Sequence, residues 1–396
     1  MKNWIYSIIL TLAAAMTFAA CSDNDGPAPA QECERAVLVY MVANNSLGSA
    51  RYDEADIAEM LDAAAHGDLG NSRLFVYHHS RTADPVLKEI TPRGEMLVKA
   101  YNTDNSSVSA ARMNEVIADF KRTAPATARG LILWSHGSGW IENGLQEPTA
   151  NAQSSPGVNA QSQPGNDAVQ PLSFGDDGGR YMNVTTMARV LDGQGFDYIY
   201  FDCCYMAGVE VAYELRRCAD RIVASATELP ANGMPYDRTL RHLMKADADL
   251  TAAARATFDH YDNLAGSART CTISVIDTDA LDNLAAATRA VYSANSVTSE
   301  GFAPQHLMTS ACYLFDFGQY VDNLAADYPT LKADFDAALD DAVIYSASTP
   351  NIWNILILRH HSGLSTYLPE FSATNRYNYD NLQWAKDVAS ALSPKQ

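Results

Sequence analysis

The chain has 396 residues, 47% of them hydrophobic, so it is long enough to bury one large core or two ordinary ones. Its formal net charge of −19 argues against nucleic acid or an anionic membrane surface as a binding partner. The 7 cysteines do not make a disulfide scaffold at this length, and none of their spacings is typical of a structural zinc site. Disulfides are therefore permitted by this sequence but not required.

The amino-terminal segment predicts export and is not expected to be part of the fold. Lys2 precedes an apolar stretch that is too short for a membrane span with these flanks, and the stretch ends in small residues directly before Cys21. This arrangement resembles a bacterial lipobox, which implies cleavage before Cys21 and attachment of a lipid to its sulfur. The alternative is an ordinary secretory signal with an incidental cysteine. We predict a signal peptide at 1–20, a flexible tether at 21–33 and one folded domain at 34–396.

The acidic residues after Cys21 resemble the surface-export tag of some Gram-negative lipoproteins. A lipid on this cysteine would anchor the protein to a membrane that it does not cross. The expected location is the bacterial outer membrane or cell surface, and the expected oligomeric state is a monomer.

Strand and helix patterns alternate through the first 230 residues. Continuous apolar runs predict buried strands, and apolar residues at helical spacing predict helices between them. The predicted strands begin at Arg35 and span 73–80, 130–134, 198–201 and 220–228. The predicted helices lie at 53–67, 107–125 and 183–191, with a hairpin-like excursion over 86–103. Such alternation is typical of a largely parallel sheet with right-handed crossovers.

Residues 146–171 interrupt this rhythm. The segment is rich in Gln, Asn, Ser, Pro and Gly and has almost no large apolar residue, which predicts a mobile insertion. After about Tyr236 the chain is mostly helical, with a strand predicted at 270–277. Near the end, NIWNILILR and HHSGLSTYLP predict two further strands that pair with each other.

Two strand ends carry residues with chemical potential. One strand ends in Ser135-His136-Gly137, and another ends in Asp202-Cys203-Cys204, where a helical pattern begins at once. The carboxyl edge of a parallel sheet is where open α/β proteins hold their ligands, and a helix N-terminus there favours thiolate over thiol. A strand-end cysteine and a strand-end histidine are the components of a cysteine nucleophile and its base.

These segments resemble the clostripain-like cysteine peptidases, which belong to the clan that also contains caspases, gingipains and legumains. The matching stretches are SHGSGW, FDCCYMAGVEVAYEL, VYMVANNSL, FGDDGGRYMNVTTMARVL, VASATELPANGMPY and GLSTYLP, so the resemblance extends from about Arg35 to Pro369. The resemblance implies an α/β fold, a caspase-like three-layer sandwich with a mainly parallel central sheet between helices and a mostly helical carboxyl-terminal portion with late strands. It also implies a peptide or protein as the substrate.

The family's catalytic residues fall on named positions of this chain. The resemblance implies His136 as the base and Cys204 as the nucleophile, with the backbone N–H groups of Gly137 and Cys204 forming the oxyanion hole. Cys203 stands where the family more often has a small residue. Because neighbouring strand residues point to opposite faces, only one of the two cysteines can face His136.

Substrate preference depends on Asp202 in this resemblance. The family's aspartate at that position contributes to an acidic S1 pocket, which implies Arg or Lys at P1, while its structural alternative is to accept hydrogen bonds from the following helix. A second pocket acid is expected in the loop TELPANGMPYD, where Glu228 and Asp237 are the available acids but neither clearly aligns.

Activation and metal binding give weaker signals. Some relatives cut themselves after a basic residue between the His and Cys strands, but between His136 and Gly179 this chain has no Lys or Arg, and the first is Arg180. The alternatives are processing at Arg180, processing by another protease, or activity as a single chain, and we expect no obligatory cleavage within 146–171. No cofactor is expected, although Asp176-Asp177 could form a calcium-type turn. The pairs His78-His79 and His360-His361 are weak metal candidates, since adjacent strand residues point apart.

The sequence thus predicts a lipid-anchored cysteine endopeptidase that forms an acyl-enzyme on Cys204. The alternative is a catalytically silent surface-binding lipoprotein that keeps the peptidase fold.

Overall fold

The computed structural model describes residues 32–141, 173–295, 302–309, 314–368 and 379–392. The predicted signal peptide, Cys21, most of the tether and the predicted insertion at 146–171 lie outside these residues.

The described strands form one large sheet and two small ones. In chain order they are β1 (Cys33–Ala43), β2 (Arg73–Ser80), β3 (Val86–Thr91), β4 (Gly94–Ala100), β5 (Ala126–Trp134), β6 (Phe196–Asp202), β7 (Ala219–Ala224), β8 (Thr272–Asp277), β9 (Leu314–Asp316), β10 (Val343–Ser348), β11 (Asn351–Ile352), β12 (Leu356–Ile357) and β13 (Ser365–Tyr367). The large sheet has nine strands in the order β10-β8-β7-β6-β5-β1-β2-β3-β4.

The centre of the large sheet is parallel. Strands β2, β1, β5, β6 and β7 all run in one direction, while β3 and β4 at one edge and β8 and β10 at the other pair antiparallel to their neighbours. The central strands are buried on both faces, which is why they have continuous apolar runs instead of alternating ones.

Helices cover both faces of the sheet. They are α1 (Ser46–Ser49), α2 (Tyr52–Ala65), α3 (Ala110–Thr123), α4 (Val184–Leu191), α5 (Val209–Leu215), α6 (Tyr236–Leu243), α7 (Leu250–Asp262), α8 (Leu281–Ala294), α9 (Phe317–Leu324), α10 (Pro329–Ala342) and α11 (Gln383–Asp387). Side chains of α2, α6 and α7 pack on one face, and those of α3, α4, α5, α8, α9 and α10 pack on the other. The predicted three-layer α/β sandwich with a mostly parallel sheet is confirmed.

Three local predictions are wrong. The helix after the Cys strand begins only at Val209, not directly after Cys204. Helix α3 is capped by Ser109, whose side chain accepts a hydrogen bond from the N–H of Arg112, and not by Ser107. The late strands do not pair with each other, because β11 pairs with β12 inside NIWNILILR and β13 pairs with β9. Strands of two or three residues carry no periodic signal, so only tertiary contacts fix their partners.

The fold brings several segments to one edge of the sheet. The parallel strands β5, β6 and β7 end there, and the antiparallel strand β8 begins there. Strand β10 runs against β8, so its carboxyl end reaches the same edge. Of the helices described, none has the length and apolarity needed to cross a bilayer.

Candidate active site

Strand register brings the two predicted reactive residues side by side. Strands β5 and β6 are paired up to Trp134 and Asp202. His136 and Cys204 each lie two residues beyond this last pair, so their backbones are neighbours at the carboxyl edge of the sheet. This is the arrangement expected for a base and a nucleophile on adjacent parallel strands.

The two cysteines occupy different environments. Cys203 is 3% exposed and belongs to the apolar core under α5, on the same face as Phe201. Asp202 points to the opposite face, where α6 packs. Cys204 is partly exposed. Of the pair, Cys204 is therefore the one accessible to a substrate.

The Cys204 thiol lies against the loop that follows β7. Its sulfur accepts a hydrogen bond from the N–H of Leu229 at 3.3 Å, and its S–H is 3.8 Å from the Leu229 carbonyl oxygen. Burial raises the pKa of the Cys204 thiol to about 12, and the negative charges of Glu228 and Asp202 act in the same direction. Burial therefore favours the protonated thiol in this arrangement, while the hydrogen bond from the N–H of Leu229 acts in the opposite direction.

The start of α5 at Val209 corrects the expectation of a thiolate stabilised by a helix N-terminus. Residues 205–208 form a loop before α5 begins, so the helix end does not lie next to the sulfur. Tyr205 has a φ of 63°, a left-handed conformation that L-residues seldom adopt. The loop is fixed by the N–H of Tyr205, which donates to the carbonyl of Thr227, and by the N–H of Ala207, which donates to that of Ser225.

Tyr205 also connects the nucleophile loop to a carboxylate. Its hydroxyl donates to Glu228 at 2.5 Å, and the hydroxyl of Thr309 lies 2.7 and 2.9 Å from the two oxygens of the same carboxylate. Glu228 was one of two acids proposed for an S1 pocket, but its carboxylate is bound by these two hydroxyls. Asp237, the other, lies in the first turn of α6 and is half-buried.

His136 has a partner that sequence reasoning missed. Its Nε2 lies 2.8 Å from the hydroxyl of Ser46, the first residue of α1. Asn45 caps this helix and also donates to the hydroxyl of Ser135, next to the histidine. The segment VANNSL is part of the family resemblance but carries no predicted role, and a separation of 90 positions in sequence leaves no local signal for the contact.

Gly137 allows the two strand ends to approach closely. A Cβ at this position would lie 2.6 Å from the carbonyl oxygen of Cys204 and 3.0 Å from the sulfur of Cys203. The first distance is too short for any other residue without a shift of the backbone, and the second would require a small movement of the Cys203 side chain. The oxyanion-hole role of Gly137 and Cys204 stays a prediction.

Asp202 lies at the floor of a closed cavity. It is 5% exposed and accepts hydrogen bonds from the N–H of Met234 at 2.9 Å and from the hydroxyl of Tyr236 at 3.0 Å. Met234 lies just before α6, and Tyr236 is the first residue of that helix. Asp202 therefore accepts hydrogen bonds from the start of α6 and not from α5, the helix that follows it in sequence. The cavity beside it measures about 10 Å³, room for about one water molecule.

A second buried acid lies near Asp202, on the predicted helix α2, where sequence reasoning assigned it no role in the site. Asp56 of α2 is 2% exposed and accepts a hydrogen bond from the indole N–H of Trp134 at 2.6 Å. Burial raises the pKa of Asp56 to about 9, and the charge of Asp202 adds to this. Burial likewise raises the pKa of Asp202 to about 7. Two buried acids, Asp202 and Asp56, therefore lie close together on the face of the sheet that α2 and α6 cover.

The candidate calcium turn is occupied by protein donors. Asp177 accepts from Asn44, from the hydroxyl of Ser106 and from the N–H of Ser107, and Asp176 accepts from the N–H of Gly179. The turn also contacts the site, since the N–H of Gly175 donates to the carbonyl of His136. Across the described ranges, His, Cys, Asp and Glu form no group of three or more suited to a metal ion.

Of the two histidine pairs, His78-His79 has structural partners. His78 contacts Asp53 at 2.7 Å, whereas His79 contacts the hydroxyl of Ser107, so the two rings point apart. Burial lowers the pKa of His361 to about 4. The described cysteines have free thiols; they are Cys33, Cys203, Cys204, Cys218 and Cys271.

Comparisons with known proteins agree with this geometry. A sequence model of the clostripain family matches residues 39–393. The structure is similar to that of an inactive zymogen C11 protease from Parabacteroides distasonis, with 27% identity, a TM-score of 0.75, and coverage of 90% of this chain and 99% of that one.

A secreted C11 cysteine protease from Bacteroides thetaiotaomicron, solved with an irreversible peptide inhibitor, has the same fold at 24% identity and a TM-score of 0.73. Coverage there is 91% of this chain and 99% of that one. A comparison with curated proteins gave no match. Because the family match spans most of the chain and includes both strand ends of the site, the chain belongs to the clostripain family of cysteine peptidases.

Proposed function

We propose that this peptidase hydrolyses peptide bonds with Cys204 as nucleophile and His136 as general base and acid. The observation that carries the proposal is the strand register, which puts His136 and Cys204 at equivalent positions beyond adjacent parallel strands. The partial exposure of Cys204 and the burial of Cys203 support the choice of nucleophile. The two residues supply the complete set of side chains that nucleophilic thiol catalysis requires.

The reaction would proceed through two steps of acyl transfer. His136 takes the thiol proton as the Cys204 sulfur attacks the scissile carbonyl, and it then gives that proton to the departing amine. A thioester to Cys204 remains, and a water molecule deprotonated by His136 hydrolyses it. The N–H groups of Gly137 and Cys204 would stabilise the oxyanion, and such donors are typically worth about 10²–10³ in rate.

The resting contacts of the thiol must change for this to happen. The Cys204 sulfur is held by Leu229, and burial favours its protonated form. Substrate therefore has to displace the Leu229 contact and expose the thiol to His136. Binding energy from the rest of the peptide would drive this change, so short substrates would lose rate as well as affinity.

We further propose a preference for Arg or Lys at P1, with Asp202 as the recognising carboxylate. Asp202 lines the cavity beside the nucleophile, and Asp56 adds a second acid behind it. A cationic side chain that entered here would pair with Asp202 and favour the ionised form of both acids. Because the cavity now has room for about one water, the 229–234 loop must open to admit the side chain.

We propose that the mature protein acts outside the cytoplasm, attached by a lipid on Cys21. The sequence before Cys21 supports this, as does the secreted state of the Bacteroides thetaiotaomicron relative. Metabolic labelling with a radioactive or clickable fatty acid tests it, because Cys21→Ser should abolish incorporation. Equal labelling of both proteins would rule out the anchor.

A panel of fluorogenic peptides varied at P1 tests the enzymatic proposal. We expect turnover after Arg or Lys, loss of at least about 10³-fold in kcat for Cys204→Ala, and near wild-type kcat for the matched control Cys203→Ala. Asp202→Asn should reduce kcat/KM for basic P1 substrates more than for neutral ones. Turnover that survives Cys204→Ala would exclude this nucleophile, and turnover after neutral residues alone would exclude the role of Asp202.

A further inference from the structure

The hairpin formed by β11 and β12 exposes two large aliphatic side chains. Ile355 is 70% exposed and Ile357 is 64% exposed, whereas Ile352 and Leu356 of the same hairpin are buried at 0% and 5%. The buried pair fixes the hairpin to the protein, so the exposed pair projects from an anchored base. Exposed aliphatic groups next to one another are a common feature of binding surfaces.

The turn of this hairpin is held in an uncommon conformation. Trp353 and Asn354 have φ values of 55° and 58°, and such left-handed backbone at a bulky residue persists only where the surroundings enforce it. The N–H of Trp353 donates to the hydroxyl of Thr270 at 2.8 Å, and the N–H of Asn354 donates to the side chain of Asn351 at 3.0 Å. The isoleucines are thus presented by a preorganised turn.

The hairpin lies on the same edge of the sheet as Cys204. Strand β10 ends at that edge, and the hairpin follows it directly. Three strand spacings separate β10 from β6, which amounts to about 14 Å. An extended peptide advances about 3.3–3.6 Å per residue, so about four residues would reach from the nucleophile to the hairpin.

Protein segments bridge the distance between hairpin and nucleophile. The N–H of Arg359, just after β12, donates to the side chain of Gln305, and Thr309 of the same segment bonds Glu228 beside Cys204. Further along, the N–H of Ser365 donates to the carbonyl of Ala207. Hydrogen-bonded segments therefore connect the hairpin to the loops around Cys204.

We propose that the 351–357 hairpin is an apolar subsite for the peptide substrate, occupied by an aliphatic or aromatic side chain about three residues before P1. The inference rests on the proposed catalytic pair. The direction in which the peptide lies follows from the position of His136. This residue protonates the leaving amine and lies on the β5 side of Cys204, so the carboxyl-terminal half of the peptide lies on that side. The cavity beside Asp202 lies on the other side, toward β8, so the amino-terminal half of the peptide extends in that direction.

The test compares two double variants of the full chain on three fluorogenic substrates. Ile355→Ser/Ile357→Ser removes the proposed subsite. Met96→Ser/Leu97→Ser is the matched control, since these side chains are 53% and 69% exposed on β4 at the opposite edge of the sheet. The substrates share the P1 residue that the wild type prefers; two are pentapeptides with Leu or Ser at P4, and the third is a dipeptide.

We expect the wild type and the control to prefer Leu over Ser at P4 by about tenfold in kcat/KM, and the hairpin variant to lose this preference. Activity on the dipeptide should be unchanged in all three proteins, which also shows that the variants are folded. A hairpin variant that keeps the P4 preference overturns the subsite, and so does a wild type without one.

Two additional measurements keep the result independent of turnover. The first is fluorescence anisotropy, which measures binding of the labelled P4-Leu and P4-Ser peptides to Cys204→Ala with and without the hairpin substitutions. Equal affinities of Cys204→Ala for the two peptides overturn the subsite even if no peptide is cleaved. The second tests the other roles of the isoleucines: sedimentation detects self-association, and flotation with phosphatidylglycerol vesicles detects lipid contact. Self-association or lipid contact that is lost in the hairpin variant overturns the proposal. Turnover that does not depend on Cys204 would contradict the proposed function instead.

Discussion

Cys204 lies among groups that hold its thiol in the protonated form. Burial, Glu228 and Asp202 all raise its pKa, and the contact with Leu229 satisfies the sulfur without ionising it. The reactivity of the Cys204 thiol therefore depends on removal of a nearby negative charge or on opening of the loop that contains Leu229. Of the two carboxylates, Glu228 is the one whose charge is more easily removed by mutation, because glutamine at this position can keep the contacts with Tyr205 and Thr309.

Glu228→Gln should make the resting thiol more reactive. Without the carboxylate charge, the pKa of Cys204 falls, and the pH midpoint of iodoacetamide alkylation should shift down by about half a unit to one unit. The measurement is alkylation rate against pH, with the modified residue identified by tandem mass spectrometry. Asp237→Asn, in the same loop region, is the control and should leave the midpoint unchanged. A midpoint that stays constant or rises in Glu228→Gln contradicts the electrostatic account.

At the scale of elements, a buried carboxyl connects the nucleophile helix to the last strand. Glu210 lies in the first turn of α5, is 0% exposed, and accepts from the hydroxyl of Thr366 and the N–H of Tyr367 at 2.8 Å each. Its other oxygen is buried and has no hydrogen-bond partner among the residues that the structure describes. Strand β13 is thereby fixed beside the loop that carries Cys204.

Glu210 should make stability depend on pH. Burial raises its pKa from the ordinary 4.5 to about 7, so the folded state favours the protonated form. Its stabilising contribution is complete below pH 4.5 and is lost as the pH rises through 7.

Glu210→Gln, which mimics the protonated form, should reduce the fall in Tm between pH 5 and pH 8 by about 5 °C relative to the wild type. Differential scanning calorimetry measures it. Glu214→Gln on the same helix serves as the control and should keep the wild-type pH dependence. Parallel curves for wild type and Glu210→Gln would rule out this role of the carboxyl.

The elements that could be predicted from sequence are those whose pattern is local. Strands 73–80 and 196–202 were predicted closely because burial on both faces requires a continuous apolar run, and α4 because Asn183 caps a short amphipathic helix. The start of α5 was not predictable, since the loop before it is fixed by hydrogen bonds to Ser225 and Thr227 of another strand connection.

For the whole molecule, the order of strands determines the site. Register alone brings the ends of β5 and β6 together, so the proximity of His136 and Cys204 could be predicted from motifs that mark strand ends. The surrounding partners could not. Ser46, Glu228 and Asp56 come from three separate parts of the chain, and polar contacts between such parts leave no periodic pattern in the sequence.

Arg180, the first basic residue after His136, should not be a site of activating cleavage. It is exposed, but the N–H of Asp177 donates to its carbonyl and its own N–H donates back to that of Asp177. Peptidases bind extended backbone, and this tight turn does not present it. We expect Arg180→Gln to match the wild type in kcat/KM and in intact mass during prolonged incubation. A lag in wild-type activity that ends with cleavage after Arg180, and is absent from the variant, would contradict this.

The central claim is that Cys204 is the nucleophile and that its neighbour Cys203 is not. Incubation with a peptidyl ketone inhibitor bearing Lys at P1, followed by tandem mass spectrometry, tests it most directly. We predict one adduct per chain, on Cys204, retained in Cys203→Ala and absent from Cys204→Ala. An adduct on Cys203, or labelling that persists in Cys204→Ala, would contradict the account.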